Sequence, residues 1–165
     1  MKKKLIVFIS ILLFILLFVV IVFITNYIIK FDSNKKIEVE LYKCIDGDTV
    51  WLERDNKKLK YRLLAIDTPE LNEEYGNDSN EYVCNILNNA NIIEVEYDVL
   101  SDRKDKYNRE LVWLFVDGDW VQSILLENGL AEVRYVYNEY NYLDILYNKE
   151  GYAKDNKIGI WSEEE

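Results

Sequence analysis

Five residues of this chain have the types and spacing for metal and phosphate chemistry: Asp48, Asp67, Glu70, Arg62 and Arg109. Asp48 stands in CIDGDTV and Asp67 in RLLAIDTPE, so each acidic turn closes an apolar run. If the strand ending at Ile45 lies beside the one ending at Ile66, the two carboxylates meet at one rim. A converging carboxylate pair suits a hard cation such as Ca²⁺, which takes carboxylates, carbonyls and waters as ligands. Glu70, one tight turn past Asp67, is placed to accept a proton from a water. Arg62 and Arg109 supply two guanidinium forks that match a phosphate and the added charge of its transition state. Taken singly, each of these has a plainer reading. Asp in IDGD or IDTPE is ordinary turn chemistry, and an arginine in a strand or charged loop is usually solvated or ion-paired.

What the chain lacks narrows the chemistry. It has no histidine, which excludes His-based triads, His general bases and most zinc sites. No GxxxxGK[ST] loop or GxSxG elbow occurs. Two cysteines, Cys44 and Cys84, are too few for a Cys-rich zinc site; a disulfide and two buried thiols are both open. The chain carries 20 basic and 30 acidic residues, and residues 1–36 hold six lysines and one aspartate. Residues 37–165 therefore hold 14 basic and 29 acidic residues, a net charge of −15. A protein that grips nucleic acid through a broad basic face has the opposite balance. A phosphate substrate would need a small site, with a metal to offset the acid.

The elements that position these residues follow from periodicity. Ile37, Val39 and Leu41 alternate with polar residues as a half-buried strand. Val50–Glu53 and Leu59–Ile66 flank an RDNKK hairpin tip, and DTPE stops the second run because Pro69 cannot join a ladder. Val83, Ile86, Leu87 and Ala90 form a helical stripe starting near Asp78 or Ser79. Ile92–Tyr97 and Leu111–Val116 are the fourth and fifth strands, separated by the polar loop SDRKDKYNR. Helices are expected over Val121–Asn128, ending at Gly129, and over about Tyr140–Asn156, with an extended Ala131–Tyr137 between them. Ile160 and Trp161 are expected to pack the tail, and the acidic end 163–165 to be solvated. Several strands followed by helices indicate an α+β domain built on a small, partly open barrel.

The N-terminus is different. Residues 1–4 are short and basic, and 5–29 carry no charge. Leu5–Ile24 gives about 30 Å of helix, the thickness of a bilayer core. No small-residue cleavage pattern follows. These residues are expected to be an uncleaved transmembrane signal anchor, followed by a linker over 30–36 and one domain over 37–165. Lys2, Lys3 and Lys4 favour a cytoplasmic N-terminus and an extracytoplasmic domain, although Lys30, Lys35 and Lys36 weaken the bias. Cleavage of the anchor would release the domain.

The order IDGDTV, YRLLAIDTPE, DKYNRELVWLFVDG, NGLAEVRYVY, IGIW resembles the thermonuclease, or staphylococcal nuclease-like, family over residues 40–161. The resemblance implies a five-stranded OB-fold β-barrel with three helices. It implies a Ca²⁺-dependent nuclease that hydrolyses DNA and RNA with little sequence specificity and leaves 3′-phosphate ends. Carried over by position, Asp48 and Asp67 resemble the carboxylate ligands of calcium and Thr68 the main-chain carbonyl ligand. Glu70 resembles the group that activates water, and Arg62 and Arg109 the pair that binds phosphate. Lys106 and Tyr107 resemble contacts to a terminal phosphate. Tyr135 and Tyr137 resemble a base-binding wall, although Tyr137 also reads as a barrel-edge aromatic; Asp46 resembles an acidic neighbour of the metal site. Single-stranded substrate is expected to be preferred, no protein partner is implied, and a monomer is expected.

Two departures stand out. The family often has glycine where this chain has Asn108, a residue that tolerates left-handed φ. The segment after Glu70, LNEEYGNDSNE, is acidic where a longer, lysine-bearing loop is familiar. With the domain charge, this predicts weaker and more salt-sensitive substrate capture. Two rival readings are a catalytically silent barrel that binds single-stranded nucleic acid or a protein, and a surface protein that uses Ca²⁺ only for stability.

Overall fold

The computed structural model of the protein describes residues 2–33 and 35–162. The acidic end expected to be solvated, 163–165, lies outside the described residues. The chain divides into two compact units, Met1–Asn34 and Lys35–Glu165.

The first unit is one helix, α1 (Lys2–Ser33). Within it Phe8–Thr25 is a stretch long and apolar enough to cross a membrane. Its side chains are exposed, as expected of a helix apolar on every side rather than on one stripe.

The second unit is a barrel with helices packed on it. Its strands are β1 (Ile37–Cys44), β2 (Thr49–Arg54), β3 (Lys57–Leu63), β4 (Ile66–Asp67), β5 (Ile93–Glu96), β6 (Glu110–Val116), β7 (Asp119–Trp120) and β8 (Glu132–Val133). Antiparallel pairing runs β3-β2-β1-β5-β6, and a parallel β3–β6 pairing closes five strands into a barrel. A register shift between Leu41 and Lys43 puts a bulge in β1, which bends the strand so that it can serve both β2 and β5. The β2–β3 hairpin turns at Asp55 and Asn56, at φ 52° and 60°. This double left-handed pair twists the hairpin in the sense its strands need.

Three helices cover the barrel: α2 (Gly76–Asn88), α3 (Val121–Glu127) and α4 (Leu143–Asp155), followed by a 3₁₀ turn at Gly159–Trp161. Val50, Leu52 and Leu63 of the barrel, Val83 of α2, Leu125 of α3 and Leu146 of α4 are wholly buried in one core. Each such side chain contributes about 1.5–3 kcal/mol through burial. Buried polar groups make the joints specific. Gln122 of α3 donates to Val112 O (3.0 Å) and accepts from Leu114 N–H (3.1 Å), fastening α3 to β6. Asp98 accepts from Trp113 Nε1 (3.1 Å), Asn141 N–H (2.7 Å) and Leu100 N–H (2.9 Å).

The expected elements are present, with shifts at their ends. The run Leu59–Ile66 is two strands: β3 stops at Leu63, Ala65 takes φ 60°, and β4 leaves to pair with β8. The extended stretch Ala131–Tyr137 pairs only at Glu132 and Val133, because Tyr135 takes φ 56° and turns the chain. The last helix begins at Leu143 rather than near Tyr140, after Tyr142 at φ 69°. Gly151 is accommodated within it. Helix α1 runs past residue 29 to Ser33.

Candidate functional site

The turn carrying Asp48 is held from three sides. Asp48 N–H donates to Asp46 Oδ1 (3.1 Å), folding Ile45–Thr49 into a compact loop. Asp48 O accepts from Leu63 N–H (2.8 Å), which fixes the turn to β3. A Cβ at Gly47 would lie 2.7 Å from Ser79 Cβ and 2.9 Å from Thr68 Oγ1, so only glycine lets the turn nest between α2 and Thr68. Just before the turn, a disulfide joins Cys44 of β1 to Cys84 of α2, with Cα atoms 5.9 Å apart. This settles the alternative left open by the sequence.

The carboxylates converge as the turn sequences suggest. Asp48, Arg62 and Thr68 are buried. Arg62 donates Nη2 to Asp67 Oδ1 (2.8 Å) and Nη1 to Leu63 O (2.8 Å), and the same Nη2 forms an ion pair with Asp48 Oδ2 at 3.0 Å. Its neighbour in register is Thr49, whose hydroxyl donates to Asp48 Oδ1 (3.0 Å). Thr68 N–H also donates to Asp48 Oδ2 (3.0 Å). Burial pushes the Asp48 carboxyl up to about 6; Arg62 opposes the rise and Asp46 adds to it. A buried carboxylate so incompletely compensated is a site for further positive charge.

The residues fit a hard cation. The two oxygens that share Arg62 Nη2 can be no farther apart than those two bond lengths together. That ceiling is compatible with the ~5 Å between opposite oxygens around one Ca²⁺. Among the described residues no group of three or more His, Cys, Asp or Glu side chains could hold a metal. The carboxylates that could contribute to such a site are those of Asp48 and Asp67.

Glu70 is exposed beside this pair, and among the described residues its carboxylate has no ion pair. Its backbone is fixed instead. Glu70 N–H donates to Glu73 Oε2 (2.9 Å) and Glu70 O accepts from Glu73 N–H (2.8 Å). A Cβ at Gly76 would fall 1.8 Å from Glu70 O, so the start of α2 packs directly on the Glu70 peptide.

The opposite wall is the loop before β6. Asp105 organises it, accepting Arg109 Nε (2.6 Å) on one oxygen and Arg109 N–H and Tyr107 N–H (both 2.9 Å) on the other. Burial would raise the Asp105 carboxyl, but these bonds from Arg109 and Tyr107 outweigh it and hold it below the usual range. Arg109 also donates Nη1 to Thr49 Oγ1 (3.3 Å), which links the loop to the Asp48 turn. Asn108 takes φ 63°, so it fills the place of glycine as its tolerance of left-handed backbone allows. Buried Glu110 pairs with Lys104 (3.1 Å) and Arg103 (3.3 Å), bracing the base of the loop.

One cleft of about 640 Å³ gathers every position singled out from the sequence: Asp46, Asp48, Arg62, Asp67, Thr68, Glu70, Lys106, Tyr107, Arg109, Tyr135 and Tyr137. Tyr107 is 68 % exposed and Tyr137 76 %, so neither ring is part of the core. Three residues that organise the site were not anticipated. Asp105 lies four residues before Arg109, a spacing that could have signalled the pair. Thr49 is the residue after Asp48. Arg134, beside Tyr135, reaches Asp67 Oδ2 at 3.4 Å, and nothing in its extended segment signals that contact.

Comparison with known proteins agrees with this geometry. Residues 60–163 match the family described as Staphylococcal nuclease homologue. The chain is 38 % identical over 138 residues to Endonuclease YncB of Bacillus subtilis (strain 168), covering 79 % of this chain and 64 % of that one. It is 37 % identical over 133 residues to SPbeta prophage-derived endonuclease YokF of the same organism, covering 76 % of this chain and 44 % of that one. Thermonuclease of Staphylococcus hyicus is 27 % identical over 129 residues, covering 74 % and 75 % of the two chains. The chain thus spans less than two thirds of the length of the two Bacillus relatives. With a closed five-stranded barrel and this sequence match, the chain belongs to the staphylococcal nuclease-like family.

Proposed function

We propose that this protein is a calcium-dependent nuclease that hydrolyses phosphodiester bonds of DNA and RNA with little sequence preference. The observation that carries the reading is the single cleft in which two carboxylates, an exposed glutamate and two arginines face one space. The relatives named as endonucleases and thermonuclease support it. The barrel supplies the rigidity such a site needs, since Asp48, Arg62 and Arg109 stand on or beside paired strands.

Each residue then has a task. Asp48, Asp67 and the Thr68 carbonyl would hold Ca²⁺, which when bound would supply positive charge beside the phosphate. Glu70 takes a proton from the attacking water, whose oxygen forms a new bond to phosphorus. Arg62 and Arg109 neutralise the charge that accumulates on the phosphoryl oxygens. The bond from phosphorus to the 5′ oxygen breaks, so the phosphate stays on the 3′ side. Lys106 and Tyr107 contact a terminal phosphate. Tyr135 and Tyr137 offer rings on which unpaired bases stack, which favours single strands and little sequence preference.

Residues 5–29 are proposed to anchor the chain in a bilayer, with the N-terminus in the cytoplasm and the domain outside. The Cys44–Cys84 disulfide supports that placement, because such bonds persist in oxidising compartments. Protease treatment of intact cells should remove the domain; a protected domain would place it inside.

The activity is tested with the full chain in detergent and a 5′-labelled single-stranded oligonucleotide, with Ca²⁺ or a chelator. Cleavage should require Ca²⁺, and the new 3′ ends should resist polymerase extension until a phosphatase acts. A folded chain that binds calcium and the strand without cutting would support the silent binding barrel instead.

A further inference from the structure

Arg134 has a geometry that the proposed mechanism leaves unused. Strand β8 pairs with β4 in the register Ile66↔Val133 and Asp67↔Glu132, and Arg134 N–H continues the contact by donating to Ala65 O (3.1 Å). The same segment is held from behind by Glu150, which accepts Val133 N–H (2.8 Å), and by Ser79, which donates to Leu130 O (2.7 Å). The root of the Arg134 side chain is therefore fixed. Its tip is not buried: the side chain is 56 % exposed, against 8 % for Arg62.

The guanidinium has two acidic neighbours of unequal closeness. Nη1 lies 2.6 Å from Glu132 Oε1 and 3.4 Å from Asp67 Oδ2. Asp67 thus stands between two arginines, with Oδ1 facing Arg62 and Oδ2 facing Arg134. The ring of Tyr135 is also shared, since Arg62 and Arg134 each place Cζ 5.9 Å from its centroid. Arg134 does not itself line the cleft, but Asp67 and Tyr135 both do. When Asp67 gives its oxygens to a cation, the longer contact is the one Arg134 loses. Nη1 stays with Glu132, and the exposed Nη2 and Nε are left beside the tyrosine on which a base would stack. Arg62, buried among its partners, and Arg109, tied to Asp105 and Thr49, are both assigned to the phosphate being cut, which leaves Arg134 for a neighbouring one.

We propose that Arg134 is a substrate-positioning residue. It holds a phosphodiester of the bound strand next to the one being cut, beside Tyr135, and in the strand-free protein it competes with the metal for Asp67. The inference rests on the nuclease reading of the cleft. It gives this acidic domain a phosphate contact outside the reacting centre, where added charge helps capture without altering the chemical step.

The test reads binding, not cleavage. Full-length chain carrying Glu70→Gln, in detergent with Ca²⁺, is titrated against a fluorescent oligothymidylate over a range of salt. Each phosphate contact to a single strand adds about −0.7 to the slope of log affinity against log salt. Adding Arg134→Ala should make that slope shallower by about 0.7, and Arg134→Lys should restore it. Arg134→Gln gives the same reading if the alanine variant does not fold. In the absence of the strand, Arg134→Ala should also tighten Ca²⁺ binding. An unchanged slope in the neutral variants overturns the proposal, even if melting temperature or calcium affinity moves, and makes Arg134 an ion-pair residue only. Failure of the nuclease reading shows separately, as a wild-type chain that does not cut.

Discussion

The two walls of the cleft are built differently. The carboxylate wall joins the Asp48 turn, the end of β3 and the Asp67 turn through buried groups. Arg62 donates to Asp67 and Leu63 O and is ion-paired with Asp48, Asp48 accepts from Thr49 and Thr68, and a disulfide ties the turn to α2. The arginine wall is a loop ordered by its own local bonds, mainly through Asp105, with Tyr107 and Lys106 open to solvent. A cation needs its oxygens within tenths of an ångström, so they must be fixed before it arrives. A polymer substrate must enter and leave, which fits the less buried placement of the groups proposed to grip it. The difference separates loss of chemistry from loss of structure.

The largest effects should come from the two arginines. Arg62→Ala and Arg109→Ala should each lower the cleavage rate by about 10²–10³-fold, the loss typical of one charge-stabilising donor. Only Arg62→Ala should also unfold easily. In calcium-free buffer it leaves two carboxylates facing each other, with Asp48 buried, and should lower stability by about 3–5 kcal/mol. Arg109→Ala breaks a partly exposed pair and should lose under about 1 kcal/mol. Denaturant titration of both variants checks this, and equal losses would erase the contrast.

Next in size is the disulfide, which spans a separation of 40 residues. Chain entropy alone assigns such a link about 4 kcal/mol. Reductant, or the Cys44→Ser/Cys84→Ser pair, should lower the melting temperature and weaken Ca²⁺ binding, since the Asp48 turn begins just after Cys44. Unchanged calcium affinity would mean that the turn is held by Gly47 packing and hydrogen bonds without the link.

A smaller effect follows from Asp48, whose carboxyl burial pushes up to about 6. A carboxyl raised in the fold stabilises the metal-free protein at low pH, and that contribution is lost as pH rises from the unfolded value through about 6. Calcium requires the ionised form. Its affinity should therefore fall roughly tenfold for each pH unit below 6, with about one proton released per ion bound. Calorimetry in buffers of different ionisation enthalpy measures both. The smallest effect expected is that of Asp105→Asn. It should slow cleavage roughly tenfold by loosening Arg109, with stability changed little.

Much of this architecture was legible in the sequence, for identifiable reasons. The alternation of Ile37, Val39 and Leu41 and the apolar run Leu111–Val116 mark strands because burial on a pleated sheet imposes those periods. The turn residues of IDGD and IDTPE mark the site because short acidic turns end strands. What was hidden depends on backbone strain and on distance in space. Ala65, Tyr75, Tyr135 and Tyr142 all take positive φ, and no residue type among them signals it. The run Leu59–Ile66 therefore reads as one strand although Ala65 breaks it. The Cys44–Cys84 link and the reach of Arg134 to Asp67 join positions far apart in sequence, which periodicity does not report.

The exposed Glu70, beside buried Asp48 and half-buried Asp67, is proposed to perform the proton transfer. The most direct test is the single-turnover rate of Glu70→Gln against wild type at saturating Ca²⁺ and saturating single-stranded DNA. The account predicts a fall of about 10²–10⁴-fold with oligonucleotide affinity and melting temperature unchanged. A rate within a few-fold of wild type would contradict it and move the base to another group of the cleft.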